Sequence, residues 1–177
     1  SIVSPSDPFE LYKVLNEALD LKNSIYIRLT AGANSKIINK EDYQFKIGKA
    51  VELLKGEDIA IIGCGNILGN CLEAAEKLKL KNVNCSVINM HTIKPIDKEK
   101  ILDLASKNKL IFTVEEHNII GGLGSSVAEV LSSETNNCKL IRIGIDDFYS
   151  SGGSYEYLKN IYGLSTEKII ETILLNL

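Results

Sequence analysis

From residue 49 onward, short apolar runs alternate with longer segments whose apolar residues recur every three or four positions. Uninterrupted apolar runs are typical of strands buried on both faces, and the longer spacing is typical of amphipathic helices. Strands are predicted at Ala50–Leu54, Ile59–Ile62, Cys85–Met90, Leu110–Val114 and Leu140–Ile145. Helices are predicted at 67–80, from Asp97 to Ser106, and at 123–134, Tyr155–Tyr162 and Ser165–Leu175. This alternation implies an α/β fold with a mostly parallel sheet covered on both faces.

Residues 1–30 form a separate small unit in this pattern. Asp7-Pro8-Phe9-Glu10 is typical of a helix start, with Asp as the N-cap and Pro at the first helical position. An apolar stripe then predicts the buried face of the helix: Leu11, Leu15, Ala18 and Leu19. Ser24–Leu29 predicts a strand. The polar segment 31–48 shows no strong periodicity and predicts a linker, which puts a domain boundary before a domain at 49–177.

The composition is that of an ordinary globular protein. Hydrophobic residues make up 45% of the 177 residues, charged residues make up 24%, and the formal net charge is −3. Nothing in this balance suggests binding to nucleic acid, and no apolar run is long enough for a membrane span. The four cysteines show no C-x-x-C spacing, and Cys64 and Cys85 lie in or beside strand-like runs. We therefore expect buried free thiols in a reducing, cytoplasmic compartment and no metal site.

The stretch from Leu110 to Val130 carries the densest candidate chemistry. A predicted buried strand is followed by Glu115, Glu116 and His117, then by a glycine turn containing Gly121 and Gly122, then by a helix. Ligands of open α/β sheets bind beyond the carboxyl ends of the strands, so these five residues are candidates for a cleft or an interface. In the alternative interpretation the carboxylates simply face solvent. The glycines then only permit a tight turn with positive φ.

Arg28 is the second candidate. It interrupts an otherwise apolar predicted strand just before a Thr-Ala-Gly turn. A guanidinium group at the end of a strand suits a phosphate or carboxylate ligand, because its planar fork matches two oxygen atoms. An outward-facing charge on an alternating strand explains the same pattern equally well.

Two further motifs are weaker. Gly63, Gly65 and Gly69 follow a strand and open a helix, as in a dinucleotide-binding turn, but the spacing departs from that fingerprint by one residue. The expected acidic residue at the end of the second strand is also missing, which favours a plain strand-to-helix turn. His91 follows a strand as well, and a lone histidine there is more often a structural hydrogen-bonding group than a catalyst.

Longer segments of the sequence resemble the C-terminal domain of the thiamine diphosphate-dependent transketolase family. The matching runs are Gly56–Ile62, Ile88–Asp97, Thr113–Ser125 and Ile143–Asp147, and the likeness covers about residues 45–177. Residues 1–30 resemble the tail of the preceding pyrimidine-binding domain. The resemblance implies a three-layer α/β/α sandwich whose five-stranded sheet has four parallel strands and one antiparallel edge strand at Ala50–Leu54.

The resemblance also implies an activity: transfer of a two-carbon ketol unit between sugar phosphates, as in the pentose phosphate pathway. In transketolases the arginine at the position of Arg28 binds the substrate phosphate. The family's domain for diphosphate and Mg²⁺, its catalytic glutamate and its active-site histidines have no counterpart in this sequence. We therefore expect thiamine diphosphate and Mg²⁺ to act in the full enzyme and not to bind this chain alone.

The same comparison predicts the partner. The chain resembles the C-terminal section of a split transketolase, which pairs with an N-terminal section as a homodimer or heterotetramer. Nearest in the superfamily are deoxyxylulose-phosphate synthase and the β subunit of oxo-acid dehydrogenases. A non-catalytic assembly module is the alternative from a different class of protein.

Overall fold

A computed structural model describes residues 1–30, 37–38 and 43–177. Of the predicted linker, residues 31–36 and 39–42 lie outside the described ranges. The strands are β1 (Ile2–Val3), β2 (Tyr26–Ile27), β3 (Val51–Leu54), β4 (Ile59–Gly63), β5 (Cys85–Asn89), β6 (Thr92–Lys94), β7 (Leu110–Asn118) and β8 (Lys139–Ile145). The helices are α1 (Pro8–Ala18), α2 (Leu68–Lys79), α3 (Lys98–Lys107), α4 (Leu123–Ser132), α5 (Tyr155–Ile161) and α6 (Thr166–Leu174).

The main sheet has five strands in the order β3-β5-β4-β7-β8. Strands β5, β4, β7 and β8 run parallel, and β3 pairs antiparallel with β5 at one edge. The predicted sheet and its antiparallel edge strand are therefore confirmed. Parallel central strands need cover on both faces, which explains why β4 is apolar throughout and why every residue of β4 and β5 is buried.

Two hydrophobic clusters cover the two faces of this sheet. On β4, Ile59 and Ile61 point into one cluster together with apolar residues of α2 and α6, whereas Ala60 and Ile62 point into the other with residues of α3 and α4. The pleat alternates side chains between the faces, so one strand contributes to both cores. The result is the predicted three-layer α/β/α sandwich.

A second, small sheet joins the N-terminal residues to the main domain. Its order is β2-β1-β6, with β1 parallel to β2 and antiparallel to β6. Strands β1 and β6 were not predicted, because two or three residues are too few to show any periodicity. The strand predicted at Ser24–Leu29 shrinks to Tyr26–Ile27. This small sheet directs residue 28 toward the carboxyl ends of the main strands.

Helix α1 begins as predicted, with the Asp7 carboxylate accepting a hydrogen bond from the Glu10 backbone N–H. Its predicted buried stripe is wrong at Leu15, which is 49% exposed, and at Leu19, which is 84% exposed, whereas Leu11 and Ala18 are half-buried. The fully buried residues of the helix are Glu10 and Val14. The polar face turns inward because the Glu10 carboxylate accepts hydrogen bonds from the Ser6 N–H and from Nδ2 of Asn89. Burial of a carboxylate requires such partners. No helix in the described part of the chain is long and apolar enough to cross a membrane.

Candidate functional site

A cavity of about 270 Å³ lies where the end of β7 meets the small sheet. All six candidate site residues line it: Arg28, Glu115, Glu116, His117, Gly121 and Gly122. Residues 28 and 115–122 are far apart in the sequence. Strand β2 pairs with β1 and β1 pairs with β6, so the small sheet places residue 28 against the main domain, where its side chain reaches Glu116. The structure thus unites the two separate sequence candidates in a single site.

Arg28 is half-buried and faces this cavity, so its charge does not lie on the outer surface of the sheet. Its Nη2 donates to the backbone carbonyl of Glu116 at 2.8 Å, and its backbone N–H donates to the carbonyl of Val3 at 2.8 Å. Within the described ranges Arg28 forms no ion pair with any carboxylate. A guanidinium group has five N–H donors, so most of them remain for a ligand.

Glu115 is buried and caps helix α4. Its Oε2 accepts from the N–H of Leu123 at 2.7 Å and its Oε1 accepts from the N–H of Gly124 at 2.8 Å. A negative charge at a helix N-terminus is favourable because the first N–H groups have no partner within the helix. Burial raises the pKa of this carboxyl above its ordinary value, although the two N–H donors oppose that shift. Glu115 therefore shapes the wall of the cavity.

Glycine is required at the two positions of this turn for different structural reasons. Gly121 has a φ of +76°, as expected for a tight turn, and an added Cβ would meet nothing within 4 Å. Gly122 does not have the expected positive φ: its φ is −95°. An added Cβ at Gly122 would instead lie 1.9 Å from Oε2 of Glu115. The second glycine is required by the carboxylate that caps the helix.

Glu116 connects the cavity to helix α5. Its backbone carbonyl accepts a hydrogen bond from Nη2 of Arg28, and its carboxylate Oε1 accepts one from the hydroxyl of Tyr155. Burial, followed by this carboxylate, raises the pKa of Tyr155 well above its ordinary value. Tyr155 could not be predicted as part of the site, because its contact with Glu116 spans 39 residues and α5 shows no motif. Cys64 also lines the cavity and is only partly buried, contrary to expectation, whereas Cys85 is buried as predicted.

The two histidines occupy different environments. His117 is exposed at the rim of the cavity, and its Nδ1 lies 2.8 Å from the carbonyl of Asn118. His91 is fully buried away from the cavity, with Nδ1 2.8 Å from Oγ1 of Thr92 and its ring 4.3 Å from that of Phe45. Burial, as the largest influence, lowers the pKa of His91 below 6.5. Its position supports the structural interpretation.

The glycine turn after β4 is covered by the chain itself. Gly65 has a φ of +69°, and a Cβ there would lie 2.8 Å from the hydroxyl of Ser4. These contacts support a plain strand-to-helix turn at this position. Among the residues that the structure describes, no group of three or more His, Cys, Asp or Glu side chains could hold a metal ion.

The fold is an α/β/α sandwich whose main sheet is joined by a small three-stranded sheet, and the cavity lies where the two sheets meet. Residues 48–169 match the family model for the transketolase C-terminal domain, and the chain belongs to this family. A protein of Methanocaldococcus jannaschii named "Putative transketolase C-terminal section" is 39% identical over 176 residues, which is 98% of this chain and 54% of the relative. The chain thus spans about half the length of this relative.

Two other proteins are similar over nearly the whole chain. The 1-deoxy-D-xylulose-5-phosphate synthase of Caldanaerobacter subterraneus is 34% identical over 174 residues, which is 98% of this chain and 28% of that protein. A solved structure of a split-gene transketolase, an inactive beta4 tetramer, superposes with a TM-score of 0.90 at 30% identity and covers 98% of this chain and 56% of its own.

Proposed function

We propose that this chain is the C-terminal part of a transketolase that transfers a two-carbon ketol unit between sugar phosphates, and that Arg28 binds the substrate phosphate. The observation that carries this proposal is the cavity in which Arg28 meets the EEH–GG segment, in a chain of this family. Arg28 has unused donors and no carboxylate partner among the described residues. A half-buried guanidinium group of this kind is suited to a phosphate group.

Exposed apolar side chains on the N-terminal unit support a partner chain. Phe9 and Tyr12 on α1 and Tyr26 on β2 are each more than half exposed, as is Leu29 just beyond it. Aromatic and aliphatic residues concentrated on one unit are typical of an interface. We propose that an N-terminal transketolase section covers this surface, in a homodimer or heterotetramer. The solved relative that forms an inactive beta4 tetramer is consistent with a need for such a partner.

The cofactor belongs to the same proposal. Thiamine diphosphate, held with Mg²⁺, would supply the chemistry of ketol transfer when bound. Among the described residues no group of three or more His, Cys, Asp or Glu side chains could hold a metal ion, and the cavity is lined by a single arginine. We propose that the partner supplies the cofactor site and that Arg28 binds only the phosphate group of the sugar substrate. All four cysteines are free, which is consistent with assembly in the cytoplasm.

A deoxyxylulose-phosphate synthase is the second candidate, supported by the 34% identity over 174 residues to such an enzyme. Both activities use phosphorylated sugars, so the proposed role of Arg28 is the same in each. An assay of the full assembly with different acceptors and two-carbon donors would distinguish the two enzyme activities.

The test of Arg28 is a kinetic comparison in the complete assembly. Arg28→Ala should raise KM for phosphorylated sugars about 10- to 100-fold, the effect of losing a charge-assisted pair, while kcat changes little. Unphosphorylated sugars should be nearly indifferent to the change. Lys22→Ala, which removes an exposed cation, is the control. Equal losses for both kinds of sugar would overturn the phosphate role.

A further inference from the structure

A chain of contacts links Arg28 to a helix that sequence reasoning did not associate with the site. Nη2 of Arg28 donates to the carbonyl of Glu116, and the carboxylate of the same glutamate accepts from the hydroxyl of Tyr155 on α5. Glu116 is therefore held from two sides: its backbone supports the arginine, and its side chain is held by the tyrosine.

Helix α5 has no buried residue, so core packing does not explain its position. Its specific contacts centre on Tyr155, which is itself only partly buried. Nζ of Lys159 lies 4.6 Å from the centre of the Tyr155 ring and pairs with Glu156 at 2.9 Å. The Lys159 side chain is only 11% exposed, so the ring is held between the lysine and the Glu116 carboxylate.

The charges in the cavity explain what this arrangement can do. Glu116 lines the same cavity as Arg28, and a free carboxylate there would compete with a phosphate for the guanidinium group. The Tyr155 hydroxyl donates to that carboxylate and holds it on the α5 side. Arg28 meets only the neutral carbonyl of Glu116 and keeps its other donors for an anion.

We propose that Tyr155 is a positioning residue for the substrate phosphate: it holds the Glu116 carboxylate away from Arg28, so that the guanidinium group stays open to the anion. This inference rests on the proposed function, because it assigns to Tyr155 a role in the phosphate site of Arg28. Tyr155 acts through Glu116 and does not itself touch the substrate.

The experiment uses the chain assembled with its N-terminal section and compares phosphorylated with unphosphorylated sugars. Tyr155→Phe should raise KM for the phosphorylated sugar about 3- to 10-fold with kcat nearly unchanged, as expected for the loss of one hydrogen bond that favours the open site. Tyr149→Phe, at a fully exposed position, is the matched control and should have no effect.

A second variant separates positioning from general stability. In the Tyr155→Phe background, Glu116→Gln should return KM to near the wild-type value, because a neutral amide cannot compete with phosphate and the backbone carbonyl is retained. A tyrosine that merely stabilised α5 would not be rescued in this way. Failure of the rescue, or no effect of Tyr155→Phe on KM, would overturn the inference.

Arg28→Ala, measured in parallel, separates the proposed phosphate role of Arg28 from the proposed positioning role of Tyr155. If Arg28→Ala discriminates between the sugars and Tyr155→Phe does not, only the role of Tyr155 is wrong. If Arg28→Ala fails to discriminate, the phosphate site and the positioning role are both overturned.

Discussion

Gly122→Ala is the sharpest test of how the wall of the cavity is built. An added Cβ would lie 1.9 Å from Oε2 and 2.8 Å from Cδ of Glu115, and 3.0 Å from the carbonyl of Asn118. The carboxylate must move, and it then loses its hydrogen bonds from the N–H groups of Leu123 and Gly124. Because the backbone at Gly122 is not left-handed, strain in φ adds nothing to this cost.

The magnitude follows from those two bonds. A hydrogen bond to a charged group contributes about 1.5–3 kcal/mol, and the helix N-terminus loses its cap as well. The displaced carboxylate can turn into the adjacent cavity and regain water, so we expect a loss of about 2–4 kcal/mol rather than the full sum. Urea unfolding followed by circular dichroism gives the free energy of unfolding directly.

Two glycines of this chain serve as controls for Gly122→Ala. Gly152 has open space around its Cβ position and no positive φ, so Gly152→Ala should be nearly neutral. Gly121 also has open space but a φ of +76°, so Gly121→Ala should cost about 1–2 kcal/mol from backbone strain alone. A Gly122→Ala variant within about 0.5 kcal/mol of wild type would refute the assigned role of Glu115.

The remaining predictions concern buried polar groups outside the cavity. Burial lowers the pKa of His91 below 6.5, so its contribution to stability is present above pH 6.5 and is lost as the pH falls through the folded-state pKa. Urea midpoints between about pH 7 and pH 5 should fall more steeply for wild type than for His91→Gln, and parallel slopes would contradict this. Glu10→Ala should cost about 3–5 kcal/mol, because the buried Nδ2 of Asn89 and the hydroxyl of Tyr43 both lose the carboxylate oxygen that accepts their hydrogen bonds. Glu17→Ala, at a partly exposed position, should lower the free energy of unfolding by less than half as much in the same assay. Equal losses for the two variants would contradict the role assigned to the buried Glu10 carboxylate.

The main sheet could be predicted because its signals are local. β4 is an uninterrupted apolar run, and Asp97 is a recognisable N-cap whose carboxylate accepts from the Lys100 N–H, as found. Strand β7 extends beyond the predicted Val114 to Asn118, because the polar residues continue to pair with β8 through an irregular register. A polar run at a strand end gives no sequence signal for such continued pairing.

The sequence pointed to six residues that line the cavity, but it did not predict the contacts that bring them together. Arg28 and Glu115–Gly122 carried their own chemical signals, whereas the small sheet that unites them consists of strands two or three residues long. The role of Gly122 could not be predicted, because it depends on where the carboxylate of a residue seven positions earlier lies. The burial of Glu10 was not predicted, because the periodicity of α1 places apolar residues on the opposite, exposed face.

We propose that this chain supplies the phosphate-binding part of a two-section transketolase. The most direct test mixes the purified chain with the N-terminal section, thiamine diphosphate and Mg²⁺, and follows transfer of the ketol unit from a ketose phosphate to an aldose phosphate. We predict transfer by the mixture and none by this chain alone. A mixture that forms a stable complex without transferring the ketol unit, or transfer by this chain alone, would contradict the account.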